Sequence, residues 1–454
     1  MVAAPAGPLR VGPGPHLLLD DYFIASSQGL ARVVEPPKRP ATPAIGGLPG
    51  PDQYVANASI SWDPRAGVFR MWYTERASAG PRLLYRESSE GVSWPGPGRL
   101  SLAIEGDAPT VMDEGPDFAD TARRFKLLYF RGGSGAPGMS VAWSANGLSW
   151  TFSPRNPVHP YYETTDARFP DSVGDILDLF HDHARQRYGA LVKVYTTDKE
   201  FGLQGRTQPP GLGVRLIGVM TSTDLEHWTR PARVYAPDRS DTGVTEFYGG
   251  PVLARGELLV NFLRILRDDL PAEPGGAVEG IGYTVLAWSR DGTTWQRDRV
   301  PFFDRNASPR TWDRAMTWIY GTAIRNDTVY LSYAGYDAGH KVGNRQIGIA
   351  TIPRDRFVAR TPMGDTATLR TPLLVAKPAA GLWLNANAAG GTIDVKVVDA
   401  GGKELLGGCA PVRLDALSTP VTCKQPLTQL GDRPFSLEFR LRRAKLYGFS
   451  FNAS

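Results

Sequence analysis

Ser289-Arg290-Asp291-Gly292-Thr293-Thr294-Trp295 follows the strand-like run Val285-Leu286-Ala287-Trp288. The Asp-Gly step is a turn signal that lets two antiparallel strands meet as a hairpin. The Ser hydroxyl can bond nearby backbone, and the Trp can cover the apolar side of the turn. Alone, this is one hairpin. The same spacing returns in Ser88 to Trp94, Ser144 to Trp150 and Ser222 to Trp228, with Leu225 in place of Gly in the last. A degenerate fifth copy runs from Ile347-Gly348-Ile349-Ala350-Thr351 into Pro353-Arg354-Asp355-Arg356-Phe357. Successive copies lie 56, 78, 67 and 62 residues apart, so the chain is built from a repeat.

Each copy is preceded by an apolar strand, a polar turn and an aromatic strand. Ser59-Ile60-Ser61-Trp62 leads to Phe69-Arg70-Met71-Trp72-Tyr73, and Thr322-Ala323-Ile324 leads to Val329-Tyr330-Leu331-Ser332-Tyr333. Each repeat therefore holds about four strands in a meander, and five such units predict an all-β chain with a five-bladed β-propeller over residues 40–362. The lead-in, residues 1–39, contains a strand over 17–24 that is expected to pack on, or close, the ring. The segments 196–212 and 267–280 are long, rich in Gly and Pro, and of the kind that carries function. Beyond 362 the repeat stops. Thr392-Ile393-Asp394-Val395-Lys396-Val397 and Phe435-Ser436-Leu437-Glu438-Phe439 alternate at period two, which predicts a separate β-sandwich over 363–454.

Composition agrees with this reading. Hydrophobic residues are 42% and charged residues 21% of the 454, which excludes a disordered chain. The 50 Gly and 38 Pro follow no collagen period and serve as turn punctuation. No apolar run reaches the roughly 20 residues of a membrane helix. The net charge of +5 is spread thinly, without a Lys/Arg block, so neither nucleic acid nor membrane is an expected partner. Cys409 and Cys423 are the two cysteines, either one disulfide or two free thiols, and too few for a Cys-rich metal site. The N-terminus carries no signal pattern, so the chain reads as cytoplasmic as it stands, or as secreted or periplasmic if a signal has been removed.

A five-bladed propeller followed by a small sandwich resembles the fructosidase and levanase-like glycoside hydrolases, and the propeller alone resembles the arabinanase and xylosidase group. The chain is most similar to uncharacterised bacterial relatives of that superfamily. The likeness is carried by Asp20-Asp21-Tyr22, the Ser-x-Asp-Gly-x-x-Trp hairpins, Arg124-Phe125-Lys126 and Leu382-Trp383-Leu384-Asn385-Ala386. The fructosidase signature strings are absent, so fructan specificity is not implied. What the resemblance implies is a glycosidase with a carbohydrate substrate and no required cofactor, beyond a structural ion that the channel could hold.

In a propeller, acids at the start of each blade's first strand converge at the channel mouth. Glycoside hydrolysis needs two carboxyls, an acid for the leaving oxygen and a base or nucleophile opposite. Glu246 precedes Gly249-Gly250-Pro251 and an apolar strand, and resembles the acid Glu of related propellers. It is expected as the general acid, with Asp52 as base or nucleophile. Asp52 and Asp171 each lie 11 residues before a turn Asp, Asp63 and Asp182. Asp107 lies six before Asp113, as Asn57 does before Asp63. Asp107, Asp171 or Asp175 is expected to orient substrate or tune the acid. Trp312, Asp313 and Arg314 form a cluster suited to stacking a sugar and binding hydroxyls, and Tyr248 and His340 can also reach substrate. The bland alternative for each Asp is a turn or strand cap, and for Trp312 to Arg314 an ion pair beside a core Trp. Two rival readings stand beside hydrolysis: a non-catalytic carbohydrate-binding propeller, and a lyase or sialidase-like enzyme on acidic sugars that would rely on Arg314, His340 and a Tyr.

Overall fold

A computed structural model gives the structure, and it describes residues 7–48, 53–78, 80–104, 106–132, 136–161, 173–196, 214–340, 342–376 and 381–452. Asp52, Asp171 and nearly all of the 196–212 segment lie outside the described residues. The described chain is all-β, with three short 3-10 helices and no α-helix. It divides into two compact units. One comprises Pro37–Arg325 and Val329–Thr351, and the other takes in the chain up to Pro36, Asn326–Thr328 and the chain from Ile352.

The repeat unit is a series of antiparallel meanders. The first sheet runs Tyr54–Asp63, Val68–Ala77, Gly80–Ser88 and Arg99–Ala103; the second begins Gly106–Asp113, Phe125–Arg131 and Gly138–Ser144. The third runs Leu177–Asp182, Arg187–Thr196, Val214–Ser222 and Ala232–Tyr235. The fourth meander centres on Leu258–Arg267 and Ile281–Ser289, with Thr245–Phe247 and Val252–Arg255 both paired to Leu258–Arg267. The fifth runs Met316–Arg325, Thr328–Tyr336 and Arg345–Pro353, touching the fourth through the single bridge Gly282–Met316. Its outer edge is paired by the segment containing Lys38 and Ile45, which bridge Thr351 and Ile347. The residues that close this edge are therefore 38–45 and not the expected 17–24.

Apolar strands are buried on both faces because neighbouring sheets stack. Leu258–Arg267 is buried at every residue but the last. Trp72, Tyr85, Val111 and Phe125 join the first sheet to the second, and Leu128, Met139, Leu177 and Ala190 join the second to the third. Phe180, Leu191, Phe247 and Leu263 join the third to the fourth, and Leu266, Met316 and Trp318 join the fourth to the fifth. Ile60, Phe69, Ala323 and Ile347 then join the fifth to the first. Each large side chain buried in such a cluster contributes about 1.5–3 kcal/mol.

The hairpin motif works as a hydrogen-bonded turn. Ser88, Ser144, Ser222 and Ser289 Oγ accept the amides of Gly91, Gly147, Leu225 and Gly292, each at 2.8 Å. That fourth position is left-handed throughout, with φ of 80°, 72°, 70° and 75°, which explains the preference for Gly. Trp94, Trp228 and Trp295 donate their indole N–H back to the fourth-position carbonyl. Trp150 differs and donates to Ser101 Oγ at 2.9 Å.

In the other unit, one sheet orders Asp415–Pro420, Trp383–Asn387, Lys445–Ser450, Val358–Pro362 and Leu30–Val34. A second orders Ser26–Gln28, Thr366–Arg370, Ser436–Arg442 and Thr392–Val398. One apolar cluster, including Leu384, Val395, Phe439 and Phe449, serves both. The lead-in strands belong here by pairing, since Leu9–Val11 runs parallel to Leu374–Ala376 and Leu30–Val34 pairs Val358–Pro362. Within the 1–39 lead-in, Leu9–Val11 and Leu30–Val34 thus make their ladder hydrogen bonds with strands beyond 357, while Lys38 bridges Thr351 of the repeat unit. Cys409 and Cys423 are disulfide-bonded.

Candidate functional site

A cavity of about 940 Å³ opens in the repeat unit. Its wall takes residues from the start of all five meanders: Tyr54 and Asn57, Asp107 and Thr110, Asp178, Tyr248, then Trp318 and Tyr320. The entry to four of the first strands is irregular. The register of Tyr54–Asp63 shifts between Ala56 and Ser59, with Asn57 at φ 51°; that of Gly106–Asp113 shifts between Asp107 and Thr110, with Ala108 at φ 52°. In the third, Gly174 N donates to Lys193 O and Lys193 N to Ile176 O, around Asp175. In the fourth, Gly249 and Gly250 have φ of 66° and 152°. Such bulges re-aim side chains without ending the strand. They turn polar residues toward the cavity just where the buried ladder begins.

The register also corrects one alignment. Asn57 is equivalent to Ala108, and Asp107 to Ala56. Counting back from the turn Asp failed because Ser59 to Asp63 is one residue longer than Thr110 to Asp113. Both Asn57 and Asp107 nonetheless line the cavity. Asp107 Oδ1 accepts its neighbour's amide, Ala108 N, at 2.7 Å, and Asn57 Nδ2 donates to Thr74 Oγ1 at 3.4 Å.

The carboxylates of the wall sit in three different settings. Asp107 is half-buried and has no ion pair among the described residues. Asp175 is partly exposed and paired with Lys193. Asp178 is buried, with Oδ2 receiving Arg264 Nη2 at 2.5 Å and Gly250 N at 2.9 Å. Burial pushes the Asp178 carboxyl above its ordinary range, against the pull of Arg264 and the Gly250 amide. Gly249 and Gly250 permit this approach. A Cβ on Gly249 would lie 2.4 Å from Asp178 Oδ2, and one on Gly250 1.9 Å from Phe262 O.

Glu246, the expected acid, does not line the cavity. It is 0% exposed and accepts Arg215 Nη1 at 2.5 Å, so it presents Arg215 to the wall. Its strand pairs Leu266 before the Gly-Gly break, which keeps its side chain in the sheet interior. Trp312, Asp313 and Arg314 also lie off the wall. Trp312 stacks on Tyr333 at 5.3 Å, Asp313 is buried and takes Tyr333 Oη at 3.0 Å together with Arg39, and Arg314 pairs Glu273. Asp313 and Arg314 therefore pair with Arg39 and Glu273 rather than with each other, beside a half-buried Trp312.

Tyr248 and His340 do line the cavity, with Tyr248 Oη 3.2 Å from His340 Nε2. Trp318 packs on Tyr248 at 4.5 Å between ring centroids. The wall residues that sequence reading missed include Asp178, Lys193, Arg215, Arg264 and Arg345. The first four had a signal, a charge inside an otherwise apolar strand, as in Ile176-Leu177-Asp178-Leu179-Phe180. The turn aspartates serve structure. Asp63 takes Arg70 at 2.5 Å and Arg124 at 2.8 Å, and Arg124 reaches Asp113 at 2.7 Å. Among the described residues no group of three or more His, Cys, Asp or Glu is arranged to hold a metal.

No family model matches the chain, and no curated protein matches it. Among solved structures it is similar to one described with the finding that the GH130 family of mannoside phosphorylases contains glycoside hydrolases targeting β-1,2-mannosidic linkages in Candida mannan. The identity is 16% over 71% of this chain and 95% of that one, with a TM-score of 0.48. A glycosyl hydrolase from Bacteroides ovatus gives the same values, 16%, 71%, 95% and 0.48. A structure described as a glycoside hydrolase gives 15% identity, 70% and 92% coverage, and a TM-score of 0.49.

Proposed function

We propose that the repeat unit is a five-bladed β-propeller carrying a sandwich-type unit, and that it cleaves a glycosidic bond of an oligo- or polysaccharide in the cavity. The observation that carries this reading is the convergence of Asp107, Asp175 and Asp178, in unlike settings, on one aromatic-lined cavity. Hydrolysis needs one carboxyl kept protonated and one kept ionised, and burial against exposure is how a fold separates them. Asp178 is the acid in this reading, because its carboxyl is buried and pushed upward. Asp107 is the base, because it faces the cavity without an ion pair. Asp175 with Lys193 orients substrate hydroxyls. Trp318 and Tyr248 offer faces for the sugar ring. Glu246 acts indirectly, by fixing Arg215.

The test is a panel of oligosaccharides assayed for new reducing ends. Asp178→Asn and Asp107→Asn should each fold and lose activity, since proton transfer supplies typically 10²–10⁴-fold. Near wild-type turnover by either variant would remove that residue from the chemistry. An unsaturated product, seen by its ultraviolet absorbance, would replace hydrolysis by elimination. Binding without any cleavage would favour the carbohydrate-binding reading.

A further inference from the structure

Among the described residues, five Lys and Arg side chains reach the cavity wall: Arg76, Lys193, Arg215, Arg264 and Arg345. Three are matched by carboxylates. Lys193 pairs Asp175, Arg215 pairs Glu246 and Arg264 pairs Asp178. Arg76 and Arg345 have no ion pair among the described residues. Arg345 is half-buried, its guanidinium carbon 4.1 Å from the Tyr54 ring centroid and 4.9 Å from that of Tyr336. Burial and Asp107 raise the hydroxyl of the same Tyr54, and the charges of Arg345 and Arg76 oppose that rise. Both arginine charges thus act on one tyrosine. Asp107 acts on Arg345 through space.

Desolvating a guanidinium without a carboxylate partner is costly unless something else meets its charge. Aromatic faces meet part of it. Its N–H fork remains suited to an anion that arrives from solution. Among the described residues, Arg76 and Arg345 against Asp107 leave a surplus of one positive charge at this end of the cavity. One singly charged group balances that surplus, whereas a dianion would overturn it.

We propose that Arg345 and Arg76 bind a ring carboxylate of the substrate, so that the sugar cleaved here is a uronic acid or lies next to one. This rests on the reading of the cavity as a sugar site. It explains why a chain of such weak net charge gathers beside Tyr54 two arginines that have no ion pair among the described residues. The carboxylate would be held by charge-assisted hydrogen bonds, while Trp318 and Tyr248 contact the ring.

Calorimetric titration of the full chain tests this. The probes are uronic-acid oligosaccharides from pectin, alginate and glucuronoxylan, each beside its carboxyl-reduced counterpart, with a sulfated galactan oligosaccharide and inorganic phosphate. At least one acidic oligosaccharide should bind tenfold or more tighter than its reduced form. Arg345→Gln should abolish that preference and leave binding of the reduced form within twofold, and Arg345→Lys should restore part of it. Arg76→Gln, at an exposed side chain, gives the same readout if Arg345→Gln fails to fold. Equal binding of acidic and reduced forms overturns the proposal, as does a preference for the sulfated sugar or for phosphate. Arg345-dependent binding of an acidic sugar that is never cleaved supports this site and counts against the hydrolytic reading. Cleavage of neutral sugars with no acidic preference does the reverse.

Discussion

Arg264 Nη2 lies 2.5 Å from Asp178 Oδ2, a buried pair that bonds the fourth meander to the third from positions 86 residues apart. Its Arg also donates Nε–H to Tyr248 O at 2.9 Å, and its guanidinium lies over Tyr320 at 4.2 Å. One residue therefore fixes the Asp178 carboxyl, the backbone of an aromatic wall residue and the ring of another.

Removing Arg264 takes its strongest hydrogen-bond donor from the buried Asp178 carboxyl. Arg264→Met should lower stability by about 1–3 kcal/mol. Asp178→Asn should cost less, because the amide oxygen still accepts from Arg264 and Gly250. Urea unfolding of the two variants checks the order. An Arg264→Met variant as stable as wild type would mean that the pair holds nothing.

The glycines at the fourth-sheet break give a second prediction. Gly250→Ala places a Cβ 1.9 Å from Phe262 O in a backbone at φ 152°, so the strand must shift. It should destabilise by more than about 2 kcal/mol. Gly249→Ala meets the Asp178 carboxylate instead, at 2.4 Å. It should reduce turnover more than it reduces the melting temperature. Steady-state kinetics beside thermal melts separate the two effects.

Glu114 supplies a pH test away from the cavity. It receives Tyr188 Oη at 2.7 Å, lies 2.9 Å from His181 Nδ1 and 3.4 Å from Lys126 Nζ. Burial raises its carboxyl, but the His181 and Tyr188 hydrogen bonds and the Lys126 charge prevail and hold it at about 2, below its ordinary 4.5. A depressed folded-state value means stability that is present above the unfolded value and lost as pH falls toward the folded one. The stability gap between wild type and Glu114→Gln should therefore be full near neutrality and shrink between about pH 5 and 2. A gap independent of pH would exclude this role.

The Cys409–Cys423 disulfide closes a short loop, 14 residues apart in sequence. Constraint of the unfolded chain by a loop of that length contributes about 3 kcal/mol. Cys409→Ser with Cys423→Ser should lower the melting transition of the unit that contains them. Activity of the repeat unit at moderate temperature is the control and should persist.

The repeat was legible because its bonds are local. Ser88 and Gly91, three residues apart, write the hairpin into adjacent letters, and four copies betray the pattern. The cavity is different, since Asp107, Asp178 and Arg345 meet through sheet stacking and no short window contains them. Asp107, Asp175, Tyr248 and Asn57 were found from their place at strand starts, and His340 from a Gly-flanked loop after a strand. Glu246 and Asp313 shared that signature but turned inward, because a bulge or a turn fixes direction and neither shows in residue type. Arg264 was the better clue, a charge in a strand of Leu, Val, Phe and Ile that cannot be there for solubility.

The bridges of Ile45 to Ile347 and Lys38 to Thr351 join the beginning of the repeat unit to its end. A ribosome releases residues 38–45 long before residues 345–351 exist. Residues 38–45 must wait, without this partner, until roughly 300 further residues have emerged and the two ends find each other, a slow closure by the usual scaling. Until that moment every earlier sheet is provisional, and a chain cut short before residue 347 would leave an open stack with a sticky margin. The clasp thus works as a completeness check on synthesis: only a chain read to its last repeat can shut.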